Sequence, residues 1–500
     1  MQKSINYAQF VNVNKFAQNN DTVGLPNPDV INKIAKASPY TIAFDSEQLT
    51  ANELLPCIIH SPLRPKNLAK LAVRLHDRPL VKKYWVKVLR GYYLEQYAFS
   101  KKLVGANSKF VYSKTAYNYR IQQQLNEDYL NSNSVTIAAY SGQHYTAKLA
   151  DLVPTEKDRI GEIYSDMRMV EAIAENLGLI SVLATFTAPP EYHPNPSKGK
   201  NSWGGYSSRE ALTFIYNNAY RKVYIMAHKA GIELLGFVVP EPHKDGCPHV
   251  HAALFVKPSQ LKKLYRILIK VRKHIARTHN CPNYMLDIKP QSRLPAGKKL
   301  AKPSSYVMKY VLKSFNDPDA AAWYSRTNGR EIRRYNILGL RKFKTKYNYL
   351  YKMRNQLSKV YGNIPLINEL ANMLKSDTKS HLKKLDFYYN YNHLFKGVYI
   401  ESECGEYTKL SHIELFLTPN DLTPIINKNR VLTAKEASEL DENAELVCGT
   451  TTNNNNEAGT VVVHYSSDHL TAFDDQKALC FDENNDIFDD DLEEINLLNI

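Results

Sequence analysis

The sequence lacks the signatures of several protein classes. Its six cysteines include no C-x-x-C pair, which argues against a zinc ribbon and suits a reducing compartment. The N-terminus lacks the apolar core of a signal peptide. The longest apolar stretch, around residues 177–190, is too short to cross a bilayer. We therefore expect a soluble, cytoplasmic protein without a membrane partner.

Basic residues are nearly missing from one end of the chain. The whole sequence has 65 Lys and Arg against 50 Asp and Glu, a formal charge of +15. From Glu439 to Ile500 there are 16 acidic residues and one basic residue, Lys477, so this segment carries −15. Residues 1–438 then carry +30. A body this basic predicts a polyanionic partner such as nucleic acid, although a merely soluble basic surface is the alternative.

Local patterns divide the chain into four regions. Residues 1–150 hold basic amphipathic helix patterns. Residues 151–330 alternate helices with hairpin-linked strands, which indicates an α+β domain with a central antiparallel sheet flanked by helices. Residues 331–434 are basic, rich in tyrosine and helical in tendency. Residues 435–500 form an acidic, Asn-rich tail, whose composition is typical of disorder.

Two histidines stand in the second strand of a predicted hairpin, ELLGFVVPE and PHVHAALFV joined by a short Asp-Gly turn. Residues i and i+2 of a strand point to one face, so His249 and His251 can share a metal ion. An isolated pair of this kind more often only packs or faces solvent. Glu241, at the end of the partner strand, is the predicted third ligand, with His243 and Asp245 as weaker candidates. Such a set leaves coordination positions open, as a catalytic ion requires.

A later helix pattern, SYVMKYVLKS, combines tyrosines with lysines. Tyr306, Lys309, Tyr310 and Lys313 fall at i, i+3, i+4 and i+7, on one helical face. Paired tyrosines usually only pack, but the lysines make a plain apolar face unfavourable. Together with the histidine pair and the basic body, this face predicts phosphodiester chemistry. A metal would polarise the phosphate, a tyrosine would attack phosphorus, and a lysine would lower the phenol's basicity or neutralise the phosphate.

Further polar and basic residues are candidates for contact with DNA. Thr185 and Thr187 alternate on the strand ISVLATFT and can face the same site. The basic loop RLPAGKKLAKP supplies some of them. The basic stretch Arg333–Arg354, with Tyr335, Tyr347, Tyr349 and Tyr351 interleaved, can track single-stranded DNA by charge and stacking, although a solvated helix face explains this stretch nearly as well. The candidates in these segments are Lys298, Lys299, Lys302, Arg333, Arg334, Arg341 and Lys342.

The sequence resembles the HUH rolling-circle replication endonucleases, specifically the replication gene A proteins of tailed phages and their prophage relatives. The similarity covers most of residues 110–355. It includes three motifs in order, TFTAPPEYHP, GFVVPEPHKDGCPHVHAALF and SYVMKYVLKS, and the later segment RRYNILGLRKF.

The resemblance implies a two-tyrosine HUH endonuclease domain in which His249, His251 and Glu241 hold Mg²⁺ or Mn²⁺, and Tyr306 and Tyr310 are the nucleophiles. One tyrosine would nick origin DNA, keep a 5′ phosphotyrosine and free a 3′ hydroxyl for synthesis; the second would let the displaced strand be closed. The sequence has no G-x-x-x-x-G-K-[ST]. Unwinding is therefore expected from a host helicase, acting with the replication machinery in the host cytoplasm.

Three other functions remain as alternatives. A relaxase for plasmid mobilisation shares the same chemistry, but the third motif and the missing motor motif favour replication. A non-catalytic DNA-binding regulator would bind without forming a covalent product. A metal hydrolase of small molecules would cleave without a protein-linked product.

Overall fold

A computed structural model of the chain describes residues 5–11, 24–37, 49–63, 68–77, 79–105, 108–139, 144–197, 199–281, 284, 286–290, 302–326, 332–340, 342–401, 408–418, 421–425 and 459–463. Lys298, Lys299 and Arg341 lie outside this described part, as does the acidic tail except for residues 459–463. What the sequence predicts for these positions stays a prediction.

The described residues form α-helices and antiparallel strands, in agreement with the predicted α+β class. The helices are α1 (Pro28–Lys36), α2 (Ala51–Ile59), α3 (Leu68–Asp77), α4 (Pro79–Ser100), α5 (Ser113–Ser132), α6 (Leu149–Leu152), α7 (Glu156–Asn176), α8 (Ser208–Phe214), α9 (Arg221–Lys229), α10 (Leu261–Thr278), α11 (Pro303–Asn316), α12 (Pro318–Arg326), α13 (Phe343–Lys352), α14 (Arg354–Tyr361), α15 (Pro365–Lys375) and α16 (Ser380–Asn390). None of them is long and apolar enough to cross a bilayer.

The strands are β1 (Ser134–Ala139), β2 (His144–Lys148), β3 (Ile180–Thr187), β4 (Leu235–Pro242), β5 (Pro248–Val256), β6 (Leu286–Pro290), β7 (Asn336–Leu338), β8 (Phe395–Glu401), β9 (Thr408–Thr418), β10 (Asp421–Ile425) and β11 (Gly459–Val463). Contacts within the chain define two compact units. Unit 1 comprises residues 1–123 and 170–339, and unit 2 comprises residues 124–169 and 340–500. The four predicted regions have other boundaries, which stay predictions.

Helices α1 to α4 form the N-terminal part of unit 1. Helix α1 begins after Asn27, whose side chain accepts a hydrogen bond from the backbone N–H of Asp29. Helix α2 begins with a capping box of Thr50 and Glu53. The apolar faces of the four helices share one buried cluster, which includes the fully buried Trp85. The amphipathic patterns in the sequence predict these helices because burial of one face stabilises each of them.

Unit 1 also contains a five-stranded antiparallel sheet in the order β6-β3-β5-β4-β7. Every residue of β4 is buried, and so is every residue of β5 except one, so the hairpin lies in the middle of the sheet and is covered on both faces. Gly236 lets β4 lie close to β5, because a Cβ at this position would lie 2.2 Å from the backbone oxygen of Ala253.

The register of this hairpin determines the position of Glu241, which the sequence left open. Glu241 lies opposite His249, and Pro242 lies opposite Pro248, so residues 243–247 form the connection. A strict two-residue Asp-Gly turn, which would have placed Val250 opposite Glu241, is therefore ruled out. The longer loop brings the carboxylate beside the first histidine of the pair.

Helix α8 begins with a capping box formed by Ser207 and Glu210. The Glu210 side chain accepts a hydrogen bond from the backbone N–H of Ser207 at 2.8 Å, and the Ser207 hydroxyl accepts one from the backbone N–H of Glu210. The helix continues through a π-helical turn at Ile215–Tyr220 into α9 and ends at Lys229. In the π-helical turn, Tyr220 packs edge-on against Phe186 of β3 at 5.9 Å, which joins this helix to the sheet.

Unit 2 contains helices and two three-stranded sheets, in the orders β11-β1-β2 and β10-β9-β8. The sequence predicted helical regions at 1–150 and 331–434, and this is wrong at the strands β1, β2, β8, β9 and β10. In β9, Ile413 and Leu415 are buried on either side of the partly exposed Glu414, a period of two that favours a strand. The expected disorder of the tail does not hold at Gly459–Val463, where three successive valines favour strand pairing with β1.

Candidate metal and tyrosine site

The three predicted metal ligands lie together where β4 and β5 meet their connecting loop. Glu241 Oε2 is 2.7 Å from His249 Nε2 and 3.0 Å from His251 Nε2. The two Nε2 atoms are 3.0 Å apart. Among the described residues this is the one group of three such side chains whose ligand atoms all lie within 4.8 Å of one another, and the weaker candidates His243 and Asp245 are not members of it.

The spacing of these three atoms fits a small divalent cation. Bonds of about 2.1 Å that meet at right angles place neighbouring ligand atoms about 3.0 Å apart, as on one face of an octahedron. One carboxylate and two imidazoles leave the opposite face for water or for phosphate oxygens. Glu241 and His251 are 5% and 7% exposed, whereas His249 is more exposed. The group is therefore accessible from the His249 side.

Burial and hydrogen bonding act in opposite directions on the ligand groups. Burial alone raises the pKa of Glu241, but hydrogen bonds with His249, His251 and Lys313 outweigh it and hold this pKa well below the usual range. Burial lowers the pKa of His251. Burial and the neighbouring His249 lower the pKa of His243 to about 3. At neutral pH the Glu241 carboxylate is charged and the His251 imidazole is neutral, which are the forms that bind divalent cations.

The two ligand histidines have different partners at their second ring nitrogen. Thr185 Oγ1 lies 3.1 Å from His251 Nδ1, across the register of β3 and β5. His243 Nε2 lies 2.8 Å from His249 Nδ1. The sequence predicted Thr185 as a DNA contact. Its hydroxyl can accept the Nδ1 proton of His251, and this leaves the Nε2 lone pair of His251 directed at the ligand group.

The loop at 243–247 is held by other parts of unit 1. The backbone oxygen of Gly246 accepts hydrogen bonds from Ser208 Oγ at 2.9 Å and Trp323 Nε1 at 3.0 Å. The backbone N–H of Phe110 donates to the oxygen of Lys244 at 2.9 Å. Gly246 has a φ of +85°, and a Cβ there would lie 2.8 Å from the oxygen of Phe110. Only glycine fits this position, so the backbone conformation of the loop depends on Gly246 and on the hydrogen bonds that hold it.

Helix α11 places Tyr310 on the candidate metal-ligand group and Tyr306 beside Tyr310. The ring of Tyr310 stacks on His251, with centroids 3.7 Å apart and an interplanar angle of 8°. The Tyr310 hydroxyl donates to the Tyr306 hydroxyl at 3.2 Å. At the start of the helix, Ser304 Oγ donates to the buried Glu171 at 2.9 Å. This hydrogen bond holds the start of α11 in place, and thereby the position of Tyr306 and Tyr310 relative to the sheet.

The two phenols differ in their electrostatic surroundings. The hydrogen bond from Tyr310 lowers the pKa of Tyr306, and the charges of Lys309 and Lys289 lower it further, against the effect of burial. Burial raises the pKa of Tyr310, and the bond to Tyr306 adds to this. Tyr306 therefore reaches the phenolate form at a lower pH than Tyr310.

Both lysines of the predicted helical face contact the site. Lys309 Nζ lies 3.9 Å from the ring centroid of Tyr306 and 4.6 Å from that of Tyr310. Lys313 forms an ion pair with Glu241 Oε1, the oxygen that faces away from the two histidines. The helix is thus linked to the metal-ligand group by a stacked ring and by an ion pair.

A second charged pair beside the site did not stand out in the sequence. Asp287 and Lys289 of β6 lie 3.1 Å apart, between Oδ2 and Nζ. The register places Asp287 opposite Thr185, which itself lies opposite His251. The pKa of Lys289 is raised by its hydrogen bond with Asp287. The alternation of polar residues in the strand pattern YMLDIK is the signal that could have found this pair.

Two predicted DNA contacts lie close to the site or to its helix. Thr187 is opposite His249 in the register of β3 and β5. Lys302 precedes α11 and pairs with Glu175 at 3.0 Å. Their positions do not show whether Thr187 or Lys302 contacts DNA, so both assignments as DNA contacts stay predictions.

The basic residues after α12 lie in different surroundings. Arg334 Nε donates to Ser314 Oγ of α11 at 3.1 Å, and its guanidinium lies 4.5 Å from the ring centroid of Phe315. Arg333 precedes it in unit 1, whereas Lys342 belongs to unit 2 and lies 4.4 Å from the ring centroid of Tyr399. Arg334 therefore supports the tyrosine helix, and DNA contact by these residues stays a prediction.

A protein-family model matches the part of the chain that contains this site. The model of the bacteriophage replication gene A protein (GPA) family matches residues 58–317, more than half of the chain. This range includes the metal-ligand group, the tyrosine helix and the strands that position them. No solved structure matches the chain significantly.

Several curated proteins are similar to part of the chain. The "Replication protein" of Haemophilus phage HP1 is 24% identical over 248 residues, 47% of this chain and 30% of that protein. A "Probable replication endonuclease from prophage-like region" of Salmonella paratyphi A is 28% identical over 179 residues, 35% of this chain and 22% of that protein. The "Replication gene A protein" of Escherichia phage 186 is 31% identical over 111 residues, 22% of this chain and 16% of that protein. The chain thus matches less than a third of each relative's length.

Proposed function

Because the chain belongs to the bacteriophage replication gene A protein family, we propose that it initiates phage DNA replication by nicking and rejoining one strand at an origin. The names of the relatives support a replication endonuclease. The main structural support is the stacking of Tyr310 on His251 at 3.7 Å. A nucleophile of the required type is in contact with a residue that can hold the catalytic ion.

In this proposal Glu241, His249 and His251 hold Mg²⁺ or Mn²⁺. A cation held by these residues would polarise the scissile phosphate and offset the negative charge that develops on it. The sheet fixes the three ligands, since all of them lie on the central hairpin. The exposed side of His249 leaves room for a DNA strand to reach the group.

The proposed nicking step is a transesterification. A tyrosine loses its phenolic proton to solvent and attacks the phosphorus of one phosphodiester. The new O–P bond joins the 5′ phosphate to the tyrosine, and the P–O3′ bond breaks. The departing 3′ oxygen takes up a proton, and the resulting 3′ hydroxyl can be extended by a polymerase. The energy of the broken ester is retained in the phosphotyrosine.

Two lysines assist this step in different ways. Lys309 lies over both aromatic rings, where its charge favours a phenolate and can neutralise the attached phosphate. Lys313 pairs with Glu241 and so orients the carboxylate from the tyrosine helix. Both therefore belong to the site, one at the nucleophiles and the other at the ligand group.

Two tyrosines allow a second transfer. Their hydroxyls are 3.2 Å apart, so both can reach one phosphate position. After a round of synthesis, the second tyrosine attacks the regenerated origin, and the released 3′ hydroxyl attacks the first phosphotyrosine. The displaced strand is closed, and the protein remains attached to the new 5′ end.

The partners in this proposal are single-stranded origin DNA and the host replication machinery. The charge of +30 on residues 1–438 favours DNA through release of counterions. The sequence contains no P-loop motif, so a host helicase is expected to separate the strands. The reaction would take place in the host cytoplasm.

A covalent adduct tests the proposal. The full-length protein is incubated with labelled single-stranded oligonucleotides that tile its replicon, with Mg²⁺ or Mn²⁺, and the products are separated under denaturing conditions. We expect a protein-linked DNA band that requires the divalent cation. If no adduct forms with any divalent metal tested, the proposed nicking activity is refuted. Cleavage without a linked product would indicate a metal hydrolase, and binding alone would indicate a DNA-binding regulator.

A further inference from the structure

The side chain of His243 lies directly behind one of the proposed metal ligands. Its Nε2 is 2.8 Å from His249 Nδ1, and the two rings meet edge to face with centroids 4.2 Å apart. His243 is not part of the group that can bind an ion. It therefore contacts a ligand and not the ion position.

We propose that His243 is a positioning residue that accepts the Nδ1 proton of His249 and thereby keeps the Nε2 lone pair of His249 directed at the cation. This inference rests on the proposed metal site. A neutral imidazole carries one N–H, so the direction of this hydrogen bond decides which nitrogen of His249 is available. If His243 were the donor, the proton of His249 would be on Nε2, and that nitrogen could not bind a metal.

The surroundings of His243 hold its ring in place. The backbone N–H of His243 donates to Cys247 O at 2.7 Å, and its oxygen accepts from Gly246 N–H at 2.9 Å, which closes the loop. The ring of His193 packs edge-on against His243 at 5.3 Å. His193 Nδ1 lies 3.0 Å from Asp245 Oδ2, and this buried carboxylate also accepts from the backbone N–H of Cys247 at 3.1 Å. Neither His193 nor Asp245 belongs to the ligand group, so they support His243 from outside it.

A hydrogen-bond partner of this kind has a measurable effect on metal affinity. Removing the group that accepts the second N–H of a metal-binding histidine typically weakens metal binding by about 10- to 100-fold. Thr185 Oγ1 lies in the equivalent position for His251. We therefore expect the loss of His243 to weaken the site without abolishing it.

Two substitutions separate hydrogen bonding from packing. His243→Gln places an amide oxygen close to the position of Nε2 and keeps an acceptor. His243→Leu has a similar size and no acceptor. The dissociation constant for Mn²⁺ is measured by calorimetry on the full-length protein, without DNA. His279→Ala is the control, because His279 pairs with Glu191 at 2.7 Å and is not part of the ligand group.

We expect His243→Gln and His279→Ala to bind Mn²⁺ within about threefold of the unmodified protein, and His243→Leu to bind about 10- to 100-fold more weakly. Thermal unfolding in EDTA shows whether each variant folds. If the Gln and Leu variants bind Mn²⁺ equally, the positioning role is refuted, whatever their common affinity. If the unmodified protein binds no Mn²⁺, the metal site itself fails, which is a different result.

Discussion

At the scale of single residues, His251 connects the two parts of the candidate site. Its Nε2 faces Glu241, its Nδ1 contacts Thr185, and its ring carries Tyr310. A change at this position is therefore expected to affect the proposed metal site and the proposed tyrosine nucleophile together. His249 contacts the metal group without touching a tyrosine ring in the described contacts, so the two histidines allow the metal role to be separated from tyrosine positioning.

Substitution of either histidine tests the metal role. We expect His249→Ala and His251→Ala each to reduce nicking by about a thousandfold, because stabilisation by a metal contributes several kcal/mol to the transition state. Affinity for single-stranded DNA in EDTA should change by less than about threefold, since basic residues elsewhere supply most of it. Adduct yield and fluorescence anisotropy measure the two quantities. A parallel loss of nicking and of binding would contradict the metal assignment.

The pH dependence of nicking tests the electrostatics around Tyr306. The hydrogen bond from Tyr310 and then the charge of Lys309 lower the pKa of Tyr306. In a Tyr310→Phe background, Tyr306 is the one remaining proposed nucleophile, and the nicking rate should rise with pH until its phenol is ionised. Removing the ammonium by Lys309→Met raises this pKa, so the profile should move to higher pH.

Lys309→Arg is the matched control for that experiment, since it keeps the charge over the ring. The pH profile of nicking for Lys309→Arg should resemble that of the Tyr310→Phe protein. The profile for Lys309→Met should be shifted further to high pH. Superimposed profiles for the Met and Arg variants would show that charge at this position does not act on Tyr306.

At the scale of elements, the hairpin loop at 243–247 sets the geometry of the site. Its length places Glu241 opposite His249, and its anchors at Ser208, Trp323 and Phe110 come from distant parts of unit 1. The site therefore depends on tertiary contacts that are remote from the histidines along the chain.

Gly246 tests this dependence. Gly246→Ala introduces a Cβ that would lie 2.8 Å from the oxygen of Phe110, at a φ of +85°. Gly178→Ala is the control, because Gly178 also has a positive φ, +63°, but has nothing within 4 Å of an added Cβ. The backbone strain should lower the free energy of unfolding of the control by about 1 kcal/mol.

We expect Gly246→Ala to lower the free energy of unfolding by at least twice the amount measured for Gly178→Ala, because the clash adds to the same backbone strain. It should also weaken Mn²⁺ binding, since the loop cannot keep its course. Urea unfolding and calorimetry measure these quantities. Equal losses of stability and unchanged Mn²⁺ affinity would contradict the role given to the loop.

These elements also show what the sequence can predict. The alternation in PHVHAALFV and the helical spacing from Tyr306 to Lys313 are local, so the shared face of each could be recognised. The loop length and the contact of His243 with His249 depend on tertiary contacts, so they could not. Strands β1, β2, β8, β9 and β10 were missed because basic and tyrosine-rich stretches suggested helices, whereas alternate burial, as at Ile413 and Leu415 of β9, favours a strand.

At the scale of the whole molecule, the charge is divided between a basic body and an acidic tail. The structure refines the predicted tail, because residues 459–463 pair with β1 of unit 2. The segment after this strand, residues 464–500, contains 11 acidic residues and one basic residue. We expect this segment to compete with DNA for the basic surface.

Truncation after Val463 tests this competition and keeps the strand. The truncated protein should bind random single-stranded DNA more tightly at low salt, by about threefold to tenfold, and the difference should shrink as salt screens both interactions. A full-length variant in which the acidic residues of 482–494 are changed to Asn and Gln is the control for chain length. Unchanged or weaker affinity in both proteins would rule out competition by the tail.

The proposed role of Tyr306 and Tyr310 as nucleophiles is tested most directly by identifying the residue to which the DNA is covalently attached. Trypsin cleaves after Lys309, between the two tyrosines, so mass spectrometry of a nuclease-trimmed adduct can assign the nucleotide to the peptide that ends at Lys309 or to Tyr310–Lys313. We expect a 5′ phosphotyrosine at Tyr306 or Tyr310, formed with a divalent cation, and no adduct in the Tyr306→Phe/Tyr310→Phe protein. An adduct on any other residue, or one that persists in the double variant, would contradict the assignment of these two tyrosines as nucleophiles.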